Sequence, residues 1–429
     1  MLLPLLLAAL PQTAETQPAE TQSAGAPSEP VPPNVVIVLL DDVGRDRIGA
    51  YGGHPSPAPT PHIDGLAKRG VLFRNAWAYP SCSPTRAALL TGRHAERTGM
   101  GAVILTNDGV QTPLDPEEVI LPEALPRHGS IVIGKWHLRD SEGPLAHPNE
   151  VGFDRSIVYV GPNTFESWTR VVDGESTPRT GYFPRTVAED AVAAFGEMEE
   201  PFFAYVCPKL AHSPYHVPPA ELHTRTEPTT REEKHVAMTE AGDTLLGRML
   251  DASDLSDTYV FVIGDIGSPG PTVSGPFERG RVKGAVYEGG VRVPFLVAGP
   301  GVARGIETDE LVHVTDVFAT VLDLARAPAP KSGAEDSVSF APLLRAEDAR
   351  GARETLYVSS FPHEGTVGES VRAIRTKRYK LIHSVTFGTF ELYDLEKDPL
   401  EQVDLIKARP GPDTDALRER LLALVPEFE

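Results

Sequence analysis

Three short clusters in the chain hold side chains able to do chemistry. In Pro80-Ser81-Cys82-Ser83-Pro84-Thr85-Arg86, Ser83-Pro84 closes an extended entry, and Pro84 suits the first turn of a helix, where its missing N–H costs nothing. Ala87 to Leu90 propagate that helix and Gly92 offers a stop. Cys82 then stands at the positive end of the helix, where a thiolate or an anion is favoured, with Arg86 one turn above on the same face. A lone Cys-x-Pro would read first as a buried cysteine ahead of an ordinary helix. The second cluster, Asp41-Asp42, ends a run of apolar residues. Two close carboxylates repel unless a cation lies between them, and hard divalent ions prefer such oxygen donors; a loop with one helix-capping Asp is the alternative. In the third, Lys135 and His137 are two apart, so an extended backbone projects both onto one face, a pairing suited to anion binding and proton transfer. Alone, that pair reads first as a solvated strand end.

Each cluster follows a segment able to fix it. Asn34 to Leu40 is continuously apolar, as a strand buried on both faces of a parallel sheet must be, and carboxylates at its carboxyl end stand where open α/β sheets place ligands. Residues 60–70 read as a short helix ending at glycine, and 71–76 as a strand leading to Cys82. Further buried strands are expected at 131–138, with Lys135 and His137 in its polar end, at 201–207, followed by His212, and at 258–263, followed by Asp265-Ile266. Residues 234–250 predict an amphipathic helix with Met238, Ala241, Leu245 and Met249 on one side, and 315–324 another helix. Pro328 to Ala334 reads as a boundary. Strands at 371–375, 379–382 and 390–395 and a helix near 413–424 close the chain. No internal repeat is present.

At 429 residues the chain can bury a large domain and a smaller one. A net charge of −20 excludes nucleic acid and anionic lipid as main partners, and any anionic substrate then needs a locally basic pocket. The two cysteines, Cys82 and Cys207, allow one disulfide at most. Met1 to Leu10 is apolar, too short to cross a bilayer but long enough for a signal-peptide core, although it lacks a Lys or Arg n-region. Residues 11–33, rich in Pro, Ala, Glu, Ser and Thr, read as a flexible tether. Export to a periplasmic or extracellular space is the expectation, with no stable membrane insertion; a disordered tail on a cytosolic protein is the alternative.

Cys82-x-Pro84-x-Arg86 followed by Leu90-Thr91-Gly92-Arg93 resembles the sulfatase signature, and Gly134-Lys135-Trp136-His137-Leu138 resembles the second signature of that family. Asn149 to Asp154, the segment around His212, Asp265, and Lys283 to Pro294 follow in the family's order, so the resemblance covers roughly residues 34–405. It implies an α/β fold of the alkaline phosphatase-like kind, a large mostly parallel sheet sandwiched by helices, with a small C-terminal α+β subdomain carrying an antiparallel sheet. Boundaries at 34–330 for catalysis and 331–429 for the subdomain follow, after a signal-like segment and linker at 1–33. It further implies sulfate-ester hydrolysis by a formylglycine made from Cys82 by a maturation enzyme. The hydrate of that aldehyde is the nucleophile, and His137 assists sulfate release. Arg86 and Lys135 hold the formylglycine and metal-side oxygens, and His212 and Lys283 contact the sulfate of a small molecule or carbohydrate. Asp41, Asp42 and Asp265, with the modified Cys82, hold calcium rather than magnesium. Ile266 departs from the family, which expects an oxygen or nitrogen donor there, and predicts a calcium site that is retained but weaker. A phosphate or phosphonate monoester hydrolase on the same fold and a non-catalytic binding protein are the competing readings.

Overall fold

The computed structural model describes residues 31–105, 112–161 and 164–428; of the signal-like segment and linker expected at 1–33, residues 1–30 lie outside them. Residues Pro32–Glu429 form one compact unit. Its centre is β1 (Asn34–Leu40), buried at every position. Val35, Ile37 and Leu39 face one apolar cluster while Val36, Val38 and Leu40 face another. The period-two alternation of a strand therefore explains why this run is continuously apolar: both faces are covered.

The other strands of the main sheet are β2 (Val71–Trp77), β3 (Gly129–Gly134), β4 (Arg155–Val160), β5 (Ser167–Val172), β6 (Glu175–Thr180), β7 (Phe202–Cys207), β8 (Thr258–Gly264), β9 (Phe295–Ala298) and β10 (Ile306–His313). They run in the order β10-β2-β9-β8-β1-β7-β3-β4-β5-β6. The central β8-β1-β7-β3-β4 block is parallel throughout, whereas β9 and the β5–β6 end are antiparallel. One face is covered by α1 (Pro61–Arg69), α3 (Phe183–Glu197) and α4 (Arg231–Asp251). The other is covered by α2 (Cys82–Thr91) and α5 (Asp316–Ala325). Met238, Ala241, Leu245 and Met249 of α4 all enter one cluster, as their spacing requires.

A second, antiparallel sheet of β11 (Leu356–Ser360), β12 (Val371–Arg375), β13 (Tyr379–Ser384) and β14 (Thr389–Asp394) follows in simple sequence order. Helix α6 (Pro412–Leu422) places Leu421 against Ile374, Leu381 and Leu392 of that sheet. A fully buried ion cluster ties the sheet to the main body. Glu288 accepts from Arg375 at 2.8 Å, from Lys380 at 3.3 Å and from Trp77 Nε1 at 3.1 Å, and Lys380 also meets Glu401 at 2.8 Å. Among the described residues no helix is long and apolar enough to cross a membrane.

Candidate active site

The chemistry-bearing residues stand at the carboxyl ends of the central parallel strands: Asp41 and Asp42 after β1, Lys135 and His137 after β3, His212 after β7 and Asp265 after β8. Such ends are where an open α/β sheet leaves a crevice. Cys82 is the first residue of α2, with Ser81 in extended geometry before it, and Gly92 closes the helix in the left-handed region at φ 65°. Both cysteines are free and buried, so no disulfide forms.

The route by which Lys135 and His137 reach one cavity differs from the expected alternation of a strand. β3 stops at Gly134, whose φ is 104°, and His137 itself adopts φ 61°. A Cβ at Gly134 would lie 2.1 Å from the carbonyl oxygen of Cys207, so only glycine lets the chain turn there. The turn, held by Lys135 N donating to Cys207 O at 2.8 Å, aims both side chains inward.

Cys82 Sγ lies 3.2 Å from His137 Nδ1, and His137 Nε2 lies 2.8 Å from the carbonyl oxygen of Ile104. A carbonyl only accepts, so Nε2 carries the proton and Nδ1 presents its lone pair to Cys82. Burial, reinforced by Lys135 and Arg86, pushes His137 down to about 3, which keeps the ring neutral and able to accept a proton. Ser83 Oγ donates to His137 O at 2.9 Å and Thr85 Oγ1 donates to Asp265 O at 2.8 Å. The first turn of α2 thereby locks the histidine and metal-side loops together.

Arg86 is fully buried; it donates to Lys135 O at 2.7 Å and lies 3.3 Å from Asp41 and 3.4 Å from Asp265. Lys135 Nζ meets Asp41 Oδ2 at 2.6 Å, and Lys283 Nζ meets Asp42 at 2.6 and 2.7 Å. Burial alone would raise Asp41, but Lys135, His212 and Arg86 overcome it and hold the carboxyl ionised. Asp265 is raised instead, first by burial and then by repulsion from Asp41. Its Oδ1 accepts from Asp42 N at 3.1 Å.

These carboxylates fit a divalent cation. Asp41 Oδ1 is buried with no hydrogen-bond partner, and donor atoms of Asp41, Asp42 and His212 lie within 4.8 Å of one another. Asp265 stands one step back, against Arg86. Ile266 is fully buried yet belongs to none of the three apolar clusters, and offers no donor. The proximity of His212 to both aspartates was not legible in sequence. His212 Nδ1 is 2.7 Å from Ser213 O, so it carries the proton and Nε2 holds the lone pair. Burial and Lys135 push His212 down to about 4.

Cys82, Lys135, His137, His212 and Lys283 share one cavity of about 510 Å³, whose walls add Trp168 and Phe183. Arg86 and the aspartates lie behind its floor. Lys209, also in the wall, was missed by sequence reasoning, since one lysine in a loop carries no signal.

Comparison with known proteins agrees with this geometry. The sulfatase family profile matches residues 33–327, and that of the N-sulphoglucosamine sulphohydrolase C-terminal region matches 281–425. N-acetylgalactosamine-6-sulfatase from Sus scrofa is 31% identical over 366 residues, covering 75% of this chain and 67% of that protein. Arylsulfatase A from Homo sapiens is 31% identical over 448 residues, covering 90% and 86% respectively. The fold matches the crystal structure of Ps i-CgsB in complex with k-i-k-neocarrahexaose with a TM-score of 0.77 over 91% of each chain, at 23% identity. The chain belongs to the sulfatase family and is an enzyme that hydrolyses sulfate esters.

Proposed function

We propose that the chain, exported to a periplasmic or extracellular space, hydrolyses the sulfate ester of a carbohydrate or small molecule through a formylglycine made from Cys82 by a maturation enzyme. The aldehyde hydrate supplies the nucleophile; Asp41, Asp42 and Asp265 would hold a divalent cation, which would draw charge from the sulfate oxygens. Calcium suits a donor set of carboxylate oxygens, with water or a neighbouring group in the position that Ile266 leaves without a donor. His137, neutral with Nδ1 towards residue 82, takes the proton there. Lys135 and Lys283, which lie against Asp41 and Asp42, would be free to contact sulfate oxygens if a bound cation neutralised those carboxylates, and Arg86 holds the Asp41 side of the floor. His212 is the candidate acid for the leaving oxygen, and since its Nε2 holds a lone pair it must first take a proton there from solvent. Residues 34–330 carry this chemistry and 331–429 brace it through the Glu288 ion cluster.

The observation that carries the reading is the 3.2 Å contact of Cys82 with His137 at the floor of a cavity flanked by Lys135 and Lys283. A carbohydrate substrate is favoured by relatives and structural neighbours that act on or bind saccharides, among them N-acetylgalactosamine-6-sulfatase and the neocarrahexaose complex. The test is the mass of the tryptic peptide 75–86 from protein produced with a formylglycine-generating enzyme. An aldehyde in place of the Cys82 CH2SH group is expected, together with sulfate release from sulfated sugars. An intact thiol, or release of phosphate but not of sulfate from matched ester panels, overturns the proposal.

A further inference from the structure

The cavity is more basic than one sulfate requires. Among the described residues its walls carry Lys135, Arg139, Lys209 and Lys283 against a single acid, Asp140, in a chain with 60 acidic and 40 basic residues. Lys135 and Lys283 are matched by Asp41 and Asp42. Lys209 is different. It follows β7 in the left-handed region, at φ 55°, a conformation that strains a lysine backbone and persists where surroundings impose it. The turn aims its ammonium across the aromatic wall, 4.7 Å from the ring centroid of Phe165 and 5.6 Å from that of Phe183. Among the described residues it forms no ion pair with a carboxylate. Ring faces offset only part of the desolvation of an ammonium, so the group is left short of an anion. Burial, and then repulsion from Lys135, push it down to about 8; the second cause marks it as a neighbour of the sulfate-side lysine.

We propose that Lys209 is a second anion subsite, selecting substrates that carry a further sulfate or a carboxylate on the same or the adjoining sugar ring as the sulfate ester that is cleaved. The inference rests on the sulfated-carbohydrate reading above and adds to it the charge pattern of the substrate. The aromatic wall beside Lys209, where the Tyr159 and Trp168 centroids are 4.7 Å apart, gives the ring between the two anions an apolar face to lie on.

The test is binding, not turnover. Full-length protein produced without a maturation enzyme keeps Cys82 as a thiol and leaves substrates intact. Its affinities for N-acetylgalactosamine 6-sulfate, for the 4,6-disulfate, and for the 6-sulfate linked to a uronate are measured by calorimetry. At least one dianion is expected to bind about tenfold or more tightly than the monosulfate, the worth of one charged hydrogen bond. Lys209→Gln should erase that ratio and Lys209→Arg should restore most of it. Which dianion is preferred separates a sulfate from a carboxylate partner. Equal affinity of the wild-type protein for all three sugars overturns the proposal without any variant, as does a preference that Lys209→Gln leaves intact. Sulfate release from the same sugars by matured protein is a separate readout, so failure of hydrolysis and failure of the subsite are told apart.

Discussion

Glu288→Gln removes one charge from the buried cluster that joins the antiparallel sheet to the main body, and it tests whether that cluster is structural. Glu288 is 1% exposed, and its partners Arg375 and Lys380 have side chains 3% and 0% exposed. Glutamine preserves the shape and one acceptor but leaves Arg375 and Lys380 with Glu401 as the main remaining anion. Breaking a buried pair by neutralising one partner costs about 3–5 kcal/mol, because the remaining charge is left uncompensated. Unfolding entropy near 2.1 cal/mol/K per residue over about 400 residues gives roughly 0.8 kcal/mol/K, so the substitution should lower Tm by about 4–6 °C. Differential scanning calorimetry reads this directly. Burial alone would raise the Glu288 carboxyl, but Arg375, Lys380 and Arg292 overcome it and hold it below the ordinary range. A carboxyl depressed in the folded state contributes stability above its unfolded pKa and loses it as the pH falls below that value. The Tm deficit of Glu288→Gln should therefore shrink on acidification below about pH 4.5. Adding Lys380→Met should recover part of the loss, since the two side chains act as a unit. A Tm change under about 1 °C at neutral pH would show that water or repacking compensates the cluster, and would refute the reasoning.

Two further outcomes follow from other buried groups. Ile266→Asn supplies the absent donor beside Asp265 and should tighten calcium binding to chelator-stripped protein about tenfold by calorimetry, and equal affinities would show that the site is already complete. His94, held against Tyr79 OH at 2.8 Å, is pushed down to about 4, mainly by burial. A histidine depressed on folding loses its contribution as the pH falls from about 6.5 to 4, here roughly 3 kcal/mol, so denaturant midpoints of His94→Gln should fall less steeply than wild type over that range; parallel slopes would contradict the assignment.

What could be read in the chain was whatever one physical signal dominates. β1, β7 and β8 are buried on both faces, so unbroken apolar runs marked them. Gly92 marked the end of α2 because a left-handed stop favours glycine. The far end of the main sheet had no such signal. Glu175–Thr180 is exposed along its whole length and contains Pro178, and it is a strand only because its partner Ser167–Val172 pairs with it. Ile306–His313 alternates but is interrupted by a register shift between Thr308 and Leu311. β11 passed unnoticed for want of a long apolar run. In the site, residue types and order identified Cys82, Lys135, His137 and the aspartates. The pairing of each lysine with one aspartate, the approach of His212 to both, and the orientation of Lys209 come from contacts between loops far apart in the chain, which no local pattern encodes.

The register of β1 also sets a clock. Asn34 meets Thr258 across 224 residues, and Val35 pairs with both Phe203 and Tyr259. At synthesis rates of about 5–20 residues per second, the first strand waits roughly 10–45 s before its second neighbour exists. Until β7 emerges Asn34-Val35-Val36-Ile37-Val38-Leu39-Leu40 is an unpaired apolar segment, and until β8 emerges it has a partner on one edge only, the kind of exposure that chaperones must shield. Over the same interval the Asp265 carbonyl that accepts from Thr85 is also missing, so Cys82, 2% exposed in the finished fold, is not yet enclosed. Late arrival of β8 thus leaves the head of α2 accessible until the sheet closes over it.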